Sequence, residues 1–310
     1  MRYFFVAAFF SLLLAGSFFF WRDKLQGVDN LMELSLSAEQ SITLLFAGDI
    51  MLDRGVEYYI RKNQDWKWPF LYVADILQKA DLTFGNLESV ISDKGQNLGS
   101  IYSFRADPKT LEGLTFAGFD VLSVANNHSL DYGPEAFLDS LARLKEAEIA
   151  YVGGGADKER AHSPVIKEIK GTKIGFLGYT NLGSPLWQAR STSSGQATEN
   201  TPGIAWVGEN TLLEFQKDIQ RAKNEVDILF VSLHFGEEYQ KEPGPIQQLL
   251  SKAAIDAGAD VIVGHHPHVV QPIEQYKQGW IAYSLGNFVF DQGFSSETME
   301  GLLLEVVVQD

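Results

Sequence analysis

Five of the six histidines in this chain sit where an apolar run gives way to a polar junction, and those junctions carry the chemistry. The run Ile42–Ala47 leads into Gly48-Asp49-Ile50-Met51, Leu82–Phe84 into Gly85-Asn86-Leu87-Glu88, and Val121–Ala125 into Asn126-Asn127-His128. Later, Asp227–Leu233 leads into His234-Phe235-Gly236, Val261–Val263 into Gly264-His265-His266-Pro267-His268, and Trp280–Ser284 into Leu285-Gly286-Asn287. Hard and borderline divalent cations take carboxylate oxygen, amide oxygen and neutral imidazole. Asp49, Glu88, Asn127, His234, His266 and His268 supply those donors. A cation held by them could polarise a phosphoryl oxygen and bring the pKa of a bound water toward neutrality. His128, beside Asn127, would stand where it can protonate a leaving group.

Taken singly, each residue has a plainer explanation. Asp49 could cap a helix or form a turn, Asn127 could sit in a turn, His234 could be a satisfied half-buried histidine, and Glu88 could pair with Arg54 or Arg105. Their joint occurrence at successive junctions is what argues for a site. His162 lies outside the junctions and is expected at the surface. The run Gly153-Gly154-Gly155 suits a flexible strand-to-helix turn better than a phosphate cradle.

Residues so far apart can meet only if the fold gathers strand ends, as an open α/β sheet does at its carboxyl edge. Short apolar runs alternate with helical periods throughout, which predicts an α/β fold. Further strands are expected at Ala150–Val152, Lys173–Gly178 and Leu302–Val308. Helices are expected at Phe70–Lys79, Lys109–Ala117, Pro134–Glu146, Glu209–Asn224 and Pro245–Ala257, the last from the spacing of Ile246, Leu249, Leu250, Ala253 and Ala254. Pro267 should keep His266 extended, so that His266 and His268 face the same way. The Ser/Thr/Gly-rich stretch Ser191–Pro202 reads as a surface loop or flap.

The bulk composition narrows the function. The formal charge is −15, from 40 acidic against 25 basic residues, which excludes general nucleic-acid binding. With no cysteine, disulfide frameworks, thiolate metal sites, cysteine nucleophiles and a lipid-modified N-terminal cysteine are excluded together. From Tyr3 to Trp21 the chain is apolar, and about 19 residues at 1.5 Å rise would reach roughly 28 Å, the thickness of a bilayer core. Phe18-Phe19-Phe20-Trp21 followed by Arg22-Asp23-Lys24 predicts an uncleaved anchor rather than a cleaved leader; either places the residues after Lys24 outside the cytoplasm. The organisation expected is an anchor over 1–24, a linker over 25–41 and one domain over 42–310.

The junctions, together with Asp131, Gly133 and Ser284-Leu285-Gly286-Asn287-Phe288, resemble the bacterial capsule-synthesis CapA family from Ile42 to about Val308. They also resemble the wider calcineurin-type metallophosphoesterases. That resemblance implies a two-sheet sandwich flanked by helices and one or two divalent ions such as manganese, zinc or iron. It implies that Asp49 and His268 bind one ion, that Asn127, His234 and His266 bind the other, that Glu88 or Asn86 bridges them, and that His128 is the general acid. Two positions depart from the pattern. Met51 replaces a ligating histidine and is expected to pack in the core, and Asn86 replaces the bridging aspartate. The family resemblance further implies a role in making or exporting capsular poly-γ-glutamate beside membrane-bound synthetase components, with the anionic polymer as a partner. The alternative is a non-catalytic scaffold that binds the polymer.

Overall fold

The computed structural model describes residues 3–9, 41–183, 197–199 and 201–309. Two sheets dominate it. The first has the order β1 (Tyr3–Phe9), β17 (Leu303–Gln309), β2 (Ile42–Ile50), β3 (Leu82–Leu87), β6 (Val121–Ser123) and β7 (Ala150–Val152), with β16 (Asn287–Val289) also paired to β2. The second has the order β14 (Ile273–Tyr276), β15 (Gly279–Ala282), β13 (Val261–His265), β12 (Ile228–His234), β10 (Thr172–Thr180) and β9 (Val165–Ile169). Strands β2, β3, β6 and β7 run parallel, as do β10, β12, β13 and β15, while β9 and β14 are antiparallel edges. Two short ladders, β4 (Val90–Ile91) with β5 (Arg105–Ala106) and β8 (Gly154–Gly155) with β11 (Gly203–Ile204), complete the strands.

Parallel strands buried on both faces need near-continuous apolar sequence, and Leu44-Leu45-Phe46-Ala47 in β2 and Ile228-Leu229-Phe230-Val231 in β12 provide it. The sheets face each other across Phe46, Phe84, Phe176 and Phe230. Phe46 lies 4.7 Å from Phe230, and Phe84 lies 5.7 Å from Phe176 between ring centroids. Each such pair contributes about 0.5–1.5 kcal/mol beyond its buried area. The outer face of the first sheet is covered by α1 (Arg54–Asn63), α2 (Ala74–Leu77), α3 (Leu111–Ala117) and α4 (Gly133–Glu146). Beyond the short α5 (Lys158–Ala161), α6 (Leu212–Lys223) and α7 (Pro245–Ala257) cover the second. The result is the expected mixed α/β arrangement of two facing sheets flanked by helices.

The helices differ from expectation mainly where burial is thin. Pro245–Ala257 forms as predicted, with Pro245 at its start and Gly258 closing it at φ 115°. The stretch expected as one helix over Phe70–Lys79 is instead a 3-10 turn at Trp68–Phe70 followed by the single turn α2. The sequence reading missed α1, which buries only Val56 and Ile60 on an otherwise polar surface.

The expected membrane-spanning helix is not among the described elements. Its first residues, Tyr3–Phe9, form the edge strand β1, antiparallel to β17. A run of Phe, Val and Tyr suits a strand as well as an apolar helix, and the free edge of β17 supplies the backbone partners. The remainder of the predicted anchor and the linker fall outside the described residues. Among those described, no helix is long and apolar enough to cross a membrane.

Candidate metal centre

All six predicted ligands meet at one end of the two sheets. Oxygen donors come from the first sheet (Asp49 on β2, Glu88 just after β3, Asn127 after β6), and imidazoles come from the second (His234 ending β12, His266 and His268 after β13). The strands run further than their apolar cores suggested: β2 extends to Ile50 and β3 to Leu87, so Asp49 and Asn86 lie within the ladder. A register shift between Phe46 and Asp49 turns the Asp49 carboxylate. Gly48 permits it, because a Cβ there would lie 2.0 Å from the Gly286 carbonyl oxygen.

Three overlapping groups have ligand atoms all within 4.8 Å of one another: Glu88–His234–His266, Asp49–Glu88–His268, and Glu238–His266–His268. Glu88 is common to the first two. It is fully buried, and neither of its carboxylate oxygens has a hydrogen-bond partner. Burial pushes its pKa well above the usual range, with Asp49, Glu238 and Asp131 adding repulsion. It does not pair with Arg54, which is engaged by Asp291, nor with Arg105, which donates to the Lys94 carbonyl at 3.1 Å.

Neighbouring groups hold the other donors in place. Asp49 accepts from Asn86 Nδ2 at 2.8 Å and from the His266 backbone N–H at 3.2 Å. Burial opposes its ionisation, but the close imidazoles of His265 and His268 outweigh burial and hold the carboxyl well below the usual range. The His268 Nδ1–H donates to Asn287 Oδ1 at 2.9 Å, which leaves Nε2 for a ligand, 3.8 Å from Glu88 Oε1. His234 Nδ1 accepts from Asn86 Nδ2 at 3.2 Å, and its Nε2–H donates to Asn127 Oδ1 at 2.7 Å. Burial, and then the nearby His266, push His234 well below the ordinary histidine range. Burial, and then His268, push His266 down to about 3, with its Nδ1 buried and unpartnered. Imidazoles kept neutral in this way are in the form a cation binds. A buried bare carboxylate among neutral imidazoles fits a divalent ion.

His128 lines the same site. Its Nδ1–H donates to Asp131 Oδ2 at 2.7 Å, and its Nε2 lies 3.7 Å from Glu88 Oε1. Met51 is buried in the core, as expected, where its sulfur takes the Asp53 N–H at 3.2 Å.

Several expectations are corrected. His266 is not extended: its φ is 96°, and His268 also has a positive φ of 57°. The two rings still converge, 5.7 Å apart, because Asp49 holds the His266 N–H and Tyr239 donates its N–H to the Pro267 carbonyl at 2.8 Å. His162 is buried rather than exposed, its Nδ1–H donating to Asp218 Oδ2 at 2.7 Å. Gly154 and Gly155 form the ordered strand β8 instead of a flexible turn. Of the expected flap, 191–196 and Asn200 fall outside the described residues, and Ala197 is buried. The sequence reading assigned no role to His265, 3.4 Å from Asp49 Oδ1, or to the supports Asp131 and Asn287, and it missed Glu238.

Known proteins resemble this chain in sequence. The family profile described as bacterial capsule synthesis protein PGA_cap matches residues 43–292. The capsule biosynthesis protein CapA of Bacillus anthracis is 36% identical over 279 residues, covering 87% of this chain and 65% of that protein. The PGA biosynthesis protein CapA of Bacillus subtilis is 33% identical over 261 residues, covering 83% of this chain and 66% of that protein. The chain thus spans a little under two thirds of the length of both relatives. A probable polyglutamine synthesis accessory protein of Mycobacterium tuberculosis is 28% identical over 310 residues, covering 87% of this chain and 80% of that protein. With the profile spanning most of its length, this chain belongs to the bacterial capsule synthesis protein family that includes CapA.

Proposed function

We propose that this protein acts in capsular poly-γ-glutamate biosynthesis or export as a metal-dependent phosphoester hydrolase working outside the cytoplasm. The observation that carries the metal site is Glu88, a fully buried carboxylate with no hydrogen-bond partner, within reach of His234, His266, His268 and Asp49. Asp49 and His268 would hold one ion, and Asn127, His234 and His266 a second. Glu88 would be the donor shared by the two groups in preference to Asn86, whose amide already donates to Asp49 and His234 and whose oxygen accepts from Asn126 at 3.3 Å. A divalent ion bound there supplies charge to a phosphoryl oxygen and acidifies a coordinated water.

The chain's own groups perform the remaining work. Asp131 holds His128 so that Nε2 faces the site, and the protonated ring can give its proton to the departing ester oxygen as the phosphorus–oxygen bond breaks. The apolar composition of Tyr3–Trp21 supports export from the cytoplasm. The names of the relatives support work beside synthetase components.

The test is elemental analysis of the purified protein, together with a phosphoester panel supplemented with manganese, zinc or iron. Bound metal and turnover that fall together in His234→Ala and Asp49→Ala are expected. Turnover unaffected by those substitutions, or a protein that takes up no ion, would leave the scaffold reading in its place.

A further inference from the structure

Directly over the metal centre opens a cleft of about 200 Å³, with His128 and His268 among its lining residues. Its outer wall is aromatic and open to solvent: Tyr102 is 62% exposed, Phe294 64% and Tyr239 42%. Tyr239 and Phe294 meet edge to face at 5.1 Å. Planar polar groups share the lining. Arg54 is held by Asp291, its Nε donating to Oδ2 at 3.1 Å, and Gln292 Nε2 donates to the Tyr239 hydroxyl at 3.3 Å. Glu238 faces the same space.

The backbone marks this cleft as well. Arg54, Tyr239 and His268 all have positive φ, at 53°, 65° and 57°. Side chains held in that left-handed region carry strain that persists only where the surroundings impose it, and such residues gather at ligand sites.

Resting on the phosphoesterase reading above, we propose that this cleft binds the esterifying group of the substrate, and that the group is a neutral, hydroxyl-rich ring such as a sugar or cyclic polyol. Aromatic faces accept the C–H face of such a ring, while carboxylate, amide and guanidinium match its hydroxyls as paired donors and acceptors. The charge on the wall disfavours a stretch of acidic polymer. Two carboxylates, Glu238 and Asp291, stand against the single guanidinium of Arg54 on a chain of net charge −15. The size disfavours a nucleoside, since about 200 Å³ falls below the roughly 300–1,000 Å³ usual for larger ligands.

The experiment uses the full chain, wild type and with Tyr102→Ala or Phe294→Ala. Turnover of glucose 1-phosphate, ethyl phosphate and adenosine monophosphate is measured with manganese. Binding of methyl α-glucoside to the metal-free protein is followed separately by saturation-transfer NMR. Glucose 1-phosphate is expected to exceed ethyl phosphate at least about tenfold in kcat/KM, with the ratio collapsing in both variants and saturation transfer fading in parallel. Equal kcat/KM for the two esters, preference for the nucleotide, or no saturation transfer in the wild type would overturn the proposal. Tyr102-dependent saturation transfer without turnover of any ester would uphold the cleft and remove the phosphoesterase reading instead.

Discussion

Replacing Glu88 by Gln separates the cost of an empty carboxylate from its use. Both oxygens of Glu88 are buried without partners, and burial raises its pKa well above the ordinary value of 4.5. A carboxyl whose folded pKa exceeds its unfolded value makes the native state the better proton binder. Stability of the metal-free protein therefore falls as pH rises from 4.5 through the raised value, and stays low above it. Gln keeps the shape and removes the charge. An unsatisfied buried polar group costs about 1–3 kcal/mol, and a charged one more. The metal-free variant should thus be at least about 1 kcal/mol more stable than wild type near pH 8, a rise in Tm of roughly 2–4 °C per kcal/mol. Near pH 5, closer to the ordinary carboxyl value, the gap should shrink. Saturating ion reverses the order: wild type gains about 2.7 kcal/mol at an ion concentration 100 times Kd, and the variant gains much less. Thermal melts by circular dichroism at the two pH values, in EDTA and in manganese, read all four states. A variant that melts below wild type in EDTA near pH 8, or an equal gain from manganese, would refute the reasoning.

Other substitutions test separate parts of the structure. His266→Ala should weaken manganese binding at least about 100-fold by calorimetry. The same variant, metal-free, should lose less stability than wild type as pH falls from 6.5 toward about 3, because it lacks a ring that protonates more readily once unfolded. Asp131→Asn leaves His128 without its anionic partner and should lower kcat about 10- to 100-fold while metal content holds. Asp218→Ala strips His162 and the Tyr179 hydroxyl of their shared acceptor, so denaturant melts should show a loss of about 2–4 kcal/mol with manganese affinity intact. Gly264→Ala places a methyl 2.0 Å from the Tyr283 carbonyl oxygen and should destabilise by more than about 4 kcal/mol, read as loss of soluble folded protein.

What the sequence disclosed was local. Asp49, Glu88, Asn127, His234, His266 and His268 were legible because each follows an apolar run within a few residues, and strand ends in such sheets gather. Their supports were not, since a hydrogen-bond partner is set by tertiary approach: Asn287 meets His268 only because β16 crosses to the first sheet beside β2. Glu238 is an exposed residue with nothing in its neighbourhood to mark it. The misplacement of His162 had an available signal. Asp218 lies on the face of α6 that carries Phe215, Ile219 and Ala222, so a buried carboxylate was already calling for a partner there. Pro267 argued for extension of His266, but the His266 N–H donating to Asp49 and the Tyr239 N–H donating to Pro267 override that local preference. The apolar N-terminal run fits strand and helix alike, and composition cannot choose between an open sheet edge and lipid.

The division of donors between the sheets has a mechanical consequence. The predicted oxygen donors ride on one sheet and the predicted imidazole donors on the other, so an ion seated between them would act as a rivet across the sandwich. Cutting the chain after Asn181-Leu182-Gly183, beyond β10, would leave a front piece with Asp49, Glu88 and Asn127 but no site imidazole other than His128. The back piece would hold His234, His266 and His268 with no oxygen donor from the first sheet. Neither piece could chelate as the whole does. The β10–β12 and β2–β17 ladders already join such halves, so a cation should tighten their reassembly rather than cause it, and the sheets should shear past one another most easily when it is withdrawn.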